Sequence, residues 1–166
     1  MHLYLDTEYA LKGNAMELLS IGLVKSNGEE YYAVSSEFNP ENANDWLKAN
    51  VLPKLEGACR KGLFTIKEEI EKFIGGEGEG LHRVNLECWG YFCAADWTLL
   101  VNLFGGLDQL PSYMPLYCKE LRQEMDRMKF PLSKLPKSED KHHALADARR
   151  NWVLHQRLLS WEQEHR

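Results

Sequence analysis

Close to the start of the chain an apolar run, Leu3-Tyr4-Leu5, passes directly into Asp6-Thr7-Glu8. In an extended strand residues i and i+2 point to the same face, so this run places two carboxylates side by side at a strand end. Carboxylates that close raise each other's pKa unless a cation lies between them. Hard divalent cations such as Mg²⁺ are held by such oxygens, with water and substrate phosphate completing the shell. Two later segments carry further acids, Ala94-Ala95-Asp96 and His142-His143-Ala144-Leu145-Ala146-Asp147. Three separated acidic clusters and a histidine are the pattern expected of a phosphodiesterase that uses two metal ions.

The chain is long enough to bury a substantial core. Its 166 residues, 44% hydrophobic with five tryptophans, predict one packed domain spanning 1–166. No apolar run reaches transmembrane length, and the first residues lack the basic and apolar regions of a signal peptide. The net charge of −5 argues against a broad non-specific duplex binder, though not against an enzyme that grips the last nucleotides of a strand. Cys59, Cys88, Cys93 and Cys118 form no Cys-x-x-Cys pair and have no zinc spacing with histidine, so reduced thiols in the cytoplasm are expected.

Periodicity predicts strands over 2–7, 18–25 and 30–35, the last two joined through Asn27-Gly28 as a type I′ hairpin. A short helix over 43–52 follows, capped by Asn42 or Asn44. Thr65-Ile66-Lys67-Glu68 has the form of a capping box ahead of Ile66, Ile70, Phe73 and Ile74. A Gly/Glu-rich loop over 75–80 leads to a strand over 84–89. Asp96 caps or opens a helix carrying Leu99, Leu100, Leu103 and Phe104, residues 118–128 read as another, and the last runs from about His143 to Glu164. Between them lies a basic, proline-containing loop over 129–141, which could guide phosphates. The order predicts a mixed α/β sheet with the first strand central and an antiparallel meander at its start.

As a set, these motifs resemble the DEDDh 3′–5′ exonucleases, which share an RNase H-like fold. That superfamily carries Asp-x-Glu on the first strand, an Asp in the middle and His-x-Ala-x-x-Asp on a late helix, a spacing that selects His142 over His143. Within it, Glu17 to Gly22, Glu30 to Ser35, Val51 to Leu55 and Lys119 to Gln123 look like the RNase AS group of bacterial exoribonucleases. The resemblance covers residues 3 to about 155, with 56–83 matching poorly.

The resemblance implies roles. Asp6 would bridge two Mg²⁺ ions (Mn²⁺ being an alternative), Glu8 and Asp147 would complete the first site, and Asp96 would support the second. His142 would accept the proton of the attacking water, a task suited to a side chain that titrates near neutrality. Met16, Glu17 and Leu19 would contact the terminal nucleoside, with Glu17 accepting a hydrogen bond either from the adenine N6 amine or from the ribose hydroxyls. Trp46 is a candidate for touching RNA or a partner subunit. The implied protein is a cytoplasmic homodimer acting on single-stranded, adenine-rich RNA 3′ ends. The competing readings are an exonuclease on DNA or short oligonucleotides, and a non-catalytic RNA-binding module on the same fold.

Overall fold

The computed structural model describes residues 1–75, 86–138 and 140–165. Six strands form one mixed sheet: β1 (His2–Lys12), β2 (Ala15–Lys25), β3 (Glu30–Ser35), β4 (Arg60–Lys61), β5 (Glu87–Gly90) and β6 (Cys118–Glu120). Their order is β4-β3-β2-β1-β5-β6, with β1 to β3 antiparallel and β4, β5 and β6 each parallel to its inner neighbour. The helices are α1 (Asp45–Asn50), α2 (Leu63–Gly75), α3 (Ala94–Phe104), α4 (Leu121–Arg127) and α5 (Ala144–Glu164). This is the mixed α/β sheet that the sequence predicted, with β1 central in it.

Alternation along β1 divides the molecule into layers. Leu3 and Leu5, with Ile21 and Leu23 of β2, face α2 and α3, where they meet Ile66, Ile70, Leu100 and Phe104. Tyr4 and Val24 face α4 and α5 with Leu121, Met125, Leu154 and Leu158. Farther along β1 and β2, Ala10, Leu19 and Val34 are covered by α1 and the 3₁₀ turn Leu52–Leu55. Asp6 and Glu8 fall on β1 between Tyr4 and Ala10, so they lie where the α5 layer gives way to the α1 layer.

Several local expectations change. The first hairpin is longer than its apolar runs suggested: β1 continues to Lys12, Gly13 turns at φ 60°, and Lys12 pairs with Ala15. The next turn is not type I′. The Gly28 amide donates to the Lys25 carbonyl, and the positive φ sits on Gly28 (88°) but not on Asn27, so this is a type I turn closed by a left-handed glycine. Helix α1 starts at Asp45, with Asn44 as its cap. The Thr65 capping box is not used; α2 starts at Leu63, whose amide donates to the distant Glu37 carboxylate at 2.9 Å. Residues 118–128 divide between β6 and α4. The loop expected after Gly75, and residues 84–85 of the predicted strand, lie outside the described residues. All four cysteines are free.

Candidate active site

Two glycines let the site close. Helix α5 presses its first turn onto β2 at Gly22, where an added Cβ would lie 2.4 Å from the Ala144 carbonyl and the Leu145 amide nitrogen. Gly22 pairs with Asp6 in the sheet, so this close approach brings Asp147, in the first turn of α5, over Asp6. Asn151, one turn on, donates to the Leu5 carbonyl at 3.0 Å and holds the helix against β1. Gly90 serves the other side. A Cβ there would meet Cys93 Cβ at 2.4 Å, and its absence permits the tight passage from β5 into α3. The Glu120 carboxylate fixes that passage by accepting the Phe92 and Cys93 amides at 2.8 and 2.9 Å.

The predicted acids then meet. Oxygens of Asp6, Glu8 and Asp147 lie within 4.8 Å of one another, a spacing that a divalent cation can span. Asp96 is outside that trio. It lies in the first turn of α3, where Cys93 takes the N-cap position, and its Oδ1 accepts the Thr7 amide at 2.8 Å and the Thr7 hydroxyl at 2.5 Å. Thr7, between the two acids, thus anchors a third acid beside them. A bulge in β2 opposite Glu8 and Tyr9 lies at the same place, a device that re-aims side chains next to sites.

The electrostatics follow from this crowding. Burial, reinforced by Asp96, Asp147 and Glu8 in that order, holds Asp6 well above the usual carboxylate range, and Arg150 opposes the shift. Burial, with Asp147 and Asp96, pushes Glu8 up to about 7, against Lys54. Burial also raises Asp96, with the Thr7 hydrogen bonds pulling it back. A bound cation would relieve the repulsion among such clustered, desolvated acids.

The two histidines separate cleanly. His142 lines a cleft of about 390 Å³ together with Asp6, Tyr91, Lys137, Asp147 and Arg150. Its backbone is left-handed at φ 64°, and its amide donates to Asp147 Oδ2 at 2.9 Å. His143 instead stacks on Tyr32, ring centroids 4.5 Å apart. Trp46, half exposed, meets the His142 ring edge-on at 4.8 Å. Lys54 donates to Asp140 and to the Lys141 carbonyl, tying the loop before His142 to the Leu52–Leu55 turn. Sequence reasoning passed over Lys54, Thr7 and Gly22. Only Gly22, a glycine inside an apolar strand run, carried a signal of close backbone approach.

The expected nucleoside contacts divide. Met16 and Glu17 line a second cleft of about 280 Å³ with Ser35, Phe38, Leu99 and Asn102. Glu17 accepts from Asn42 Nδ2 at 3.3 Å and pairs with Lys12 at 3.4 Å. Leu19 is corrected: it is fully buried among Ala10, Val34 and Leu47 and exposes no surface to a nucleoside.

This architecture is shared with solved exonucleases. It superposes on a full-length 3′-exonuclease with a TM-score of 0.66 at 13% identity, over 96% of this chain and 81% of that one. On the nuclease domain of 3′hExo, a DEDDh family member bound to rAMP, the TM-score is 0.59 at 13% identity, over 96% and 91%. The fold is therefore RNase H-like, of the DEDDh exonuclease kind. In sequence, the family model of the 3′–5′ exoribonuclease Rv2179c-like domain matches residues 1–159. The chain is also 37% identical over 152 residues to the 3′–5′ exoribonuclease Rv2179c of Mycobacterium tuberculosis (strain ATCC 25618 / H37Rv), covering 90% of this chain and 88% of that protein. The chain belongs to the Rv2179c-like family of 3′–5′ exoribonucleases.

Proposed function

We propose that this protein removes nucleoside 5′-monophosphates one at a time from the 3′ ends of single-stranded, adenine-rich RNA, with Mg²⁺ as cofactor and His142 as general base. The observation that carries the reading is the convergence of Asp6, Glu8 and Asp147, with Asp96 anchored on Thr7 and His142 pinned to Asp147. Asp6, Glu8 and Asp147 would hold one ion, and Asp6 with Asp96 would support a second. Bound ions would neutralise the charge on the attacking and leaving oxygens during phosphoryl transfer.

The chain's own residues do the rest. The His142 ring lines the cleft beside the carboxylates, where it accepts the proton of the attacking water. The water oxygen bonds to phosphorus as the bond to the 3′ oxygen of the preceding nucleotide breaks. Asp147 accepts the His142 amide and so sets where the imidazole starts. Arg150 is held over Tyr91 at 4.8 Å and by the Pro136 carbonyl, which leaves guanidinium N–H groups for a phosphate oxygen. Met16 and Glu17 receive the terminal nucleoside, with Glu17 accepting from the adenine amine or from the ribose. A homodimer working in the cytoplasm completes the reading. The 37%-identical relative named as an exoribonuclease and the resemblance to RNase AS support RNA over DNA.

The test is digestion of 5′-labelled poly(A), poly(U) and poly(dA), with Mg²⁺ or EDTA, beside Asp6→Ala. A one-nucleotide ladder on poly(A), absent with EDTA and in the variant, is expected. Equal cutting of poly(A) and poly(U) would remove the adenine preference. Dominant cutting of poly(dA) would move the substrate to DNA. Glu17→Ala separates the two roles of that side chain: equal loss on all homopolymers would assign it to the ribose.

A further inference from the structure

The active-site cleft does not end at the carboxylates. It shares Pro136, Lys137 and Arg150 with a neighbouring cleft of about 380 Å³ that continues along α5 to Arg157. The basic residues lining this continuation are Lys137, Arg149, Arg150 and Arg157, and the acid is Glu30, which Arg149 holds through two bonds of 2.6 Å. A separate cleft beside Met16 has Glu17 and Glu37 in its lining and, among the described residues, no lysine or arginine. In a chain of net charge −5, the cleft that adjoins the site is therefore lined by more bases than acids. Two polar atoms, Ser138 Oγ of the active-site cleft and Trp152 Nε1 of its continuation, are buried without a hydrogen-bond partner among the described residues. From Arg150 to Arg157 the helix rises about 10 Å, which extends the basic strip beyond the terminal nucleotide.

We propose that the RNA leading away from the scissile phosphate runs along this groove, its phosphates meeting Lys137, Arg150 and Arg157. The proposal rests on the exoribonuclease reading above. It makes the groove a reader of strand length and charge, while base and sugar are read in the Met16–Glu17 cleft. Phosphate contacts carry no sequence information, so the groove holds any single strand.

The test compares wild type with Lys137→Gln/Arg157→Gln on an adenosine dinucleotide and on a strand of about 15 nucleotides, long enough to fill such a groove. Wild type should favour the longer strand. The double variant should lose about tenfold of that preference, chiefly through KM, and its affinity should depend less on salt, by roughly 0.7 in log–log slope per lost phosphate contact. Lys137→Arg/Arg157→Lys should keep both properties, which separates charge from packing. Fluorescence anisotropy of the longer strand in EDTA reads the groove without turnover. If wild type cuts neither substrate, the exoribonuclease reading fails, and the groove is judged on anisotropy alone. Unchanged affinity and salt slope in the Gln variant, or a wild type without length preference, would overturn the proposal.

Discussion

Tyr4 and Asp6 stand two residues apart on one face of β1, both at the contact with α5, and their surroundings could hardly differ more. The Tyr4 hydroxyl and His155 Nδ1 form a buried pair at 2.8 Å, with Trp89 packed on the His155 ring at 4.0 Å. Burial, helped by His2, pushes His155 down to about 4, so it stays neutral through the physiological range. Two turns earlier on the same helix, Asp147 joins Asp6 and Glu8 in a cluster where acid raises acid. One end of the interface satisfies its polar groups; the other stores repulsion. Such repulsion lowers stability when the acids are ionised, and it persists where function needs it.

The signs of the two pH dependences are opposite. Glu8, raised to about 7, contributes stability while protonated, fully below its ordinary value near 4.5, and that contribution is lost as pH rises through about 7. His155, lowered to about 4, contributes fully above its ordinary value of 6.5, and that contribution is lost as pH falls through about 4.

The largest effect expected from breaking the contrast is at Asp6. Asp6→Asn should cut kcat on RNA on the order of a thousandfold, the scale of losing a main electrostatic element of an active site, measured by product release under saturating substrate. Next comes Lys54→Met, which releases the loop before His142 and removes a positive charge felt by Glu8. It should lower kcat roughly 10- to 100-fold with KM little changed, and Lys54→Arg should recover part of the loss. Gly22→Ala should force α5 away from β2. It should cost about 1–3 kcal/mol, a drop of several degrees in Tm, together with a loss of activity that Gly→Ala at exposed Gly28 does not share in kcat. The smallest effect is at the satisfied end: Tyr4→Phe removes one buried hydrogen bond and should cost about 1 kcal/mol by urea unfolding, with kcat unchanged.

Much of this molecule is legible from its residues because periodicity and spacing are local. Leu3-Tyr4-Leu5-Asp6-Thr7-Glu8 shows a strand with two acids on one face, and the structure has that geometry. The five-residue step from His142 to Asp147 spans the entry into α5, and the two groups meet there. What stayed hidden depends on distant partners. Glu37 capping α2 twenty-six residues away replaced the Thr65 capping box, which is a local rule. Extension of β1 and β2 to Lys12 and Ala15 came from cross-strand pairing of short segments in which Glu8, Lys12 and Glu17 interrupt the apolar pattern. Leu19 was expected to contact the nucleoside beside Glu17, but the layer formed by α1 and Leu52–Leu55 covers it. Lys54 carries no motif, and its role arises only once the Leu52–Leu55 turn lies beside Asp140.

On the proposed reading, the carboxylate cluster holds a cation at a cost in stability. Differential scanning calorimetry of wild type and Asp6→Asn, at a pH above the raised Glu8 value, with EDTA and with Mg²⁺, tests it most directly. Asp6→Asn should melt higher than wild type in EDTA, and Mg²⁺ should raise the Tm of wild type much more than that of the variant. A wild type that melts above Asp6→Asn in EDTA and does not respond to Mg²⁺ would contradict it.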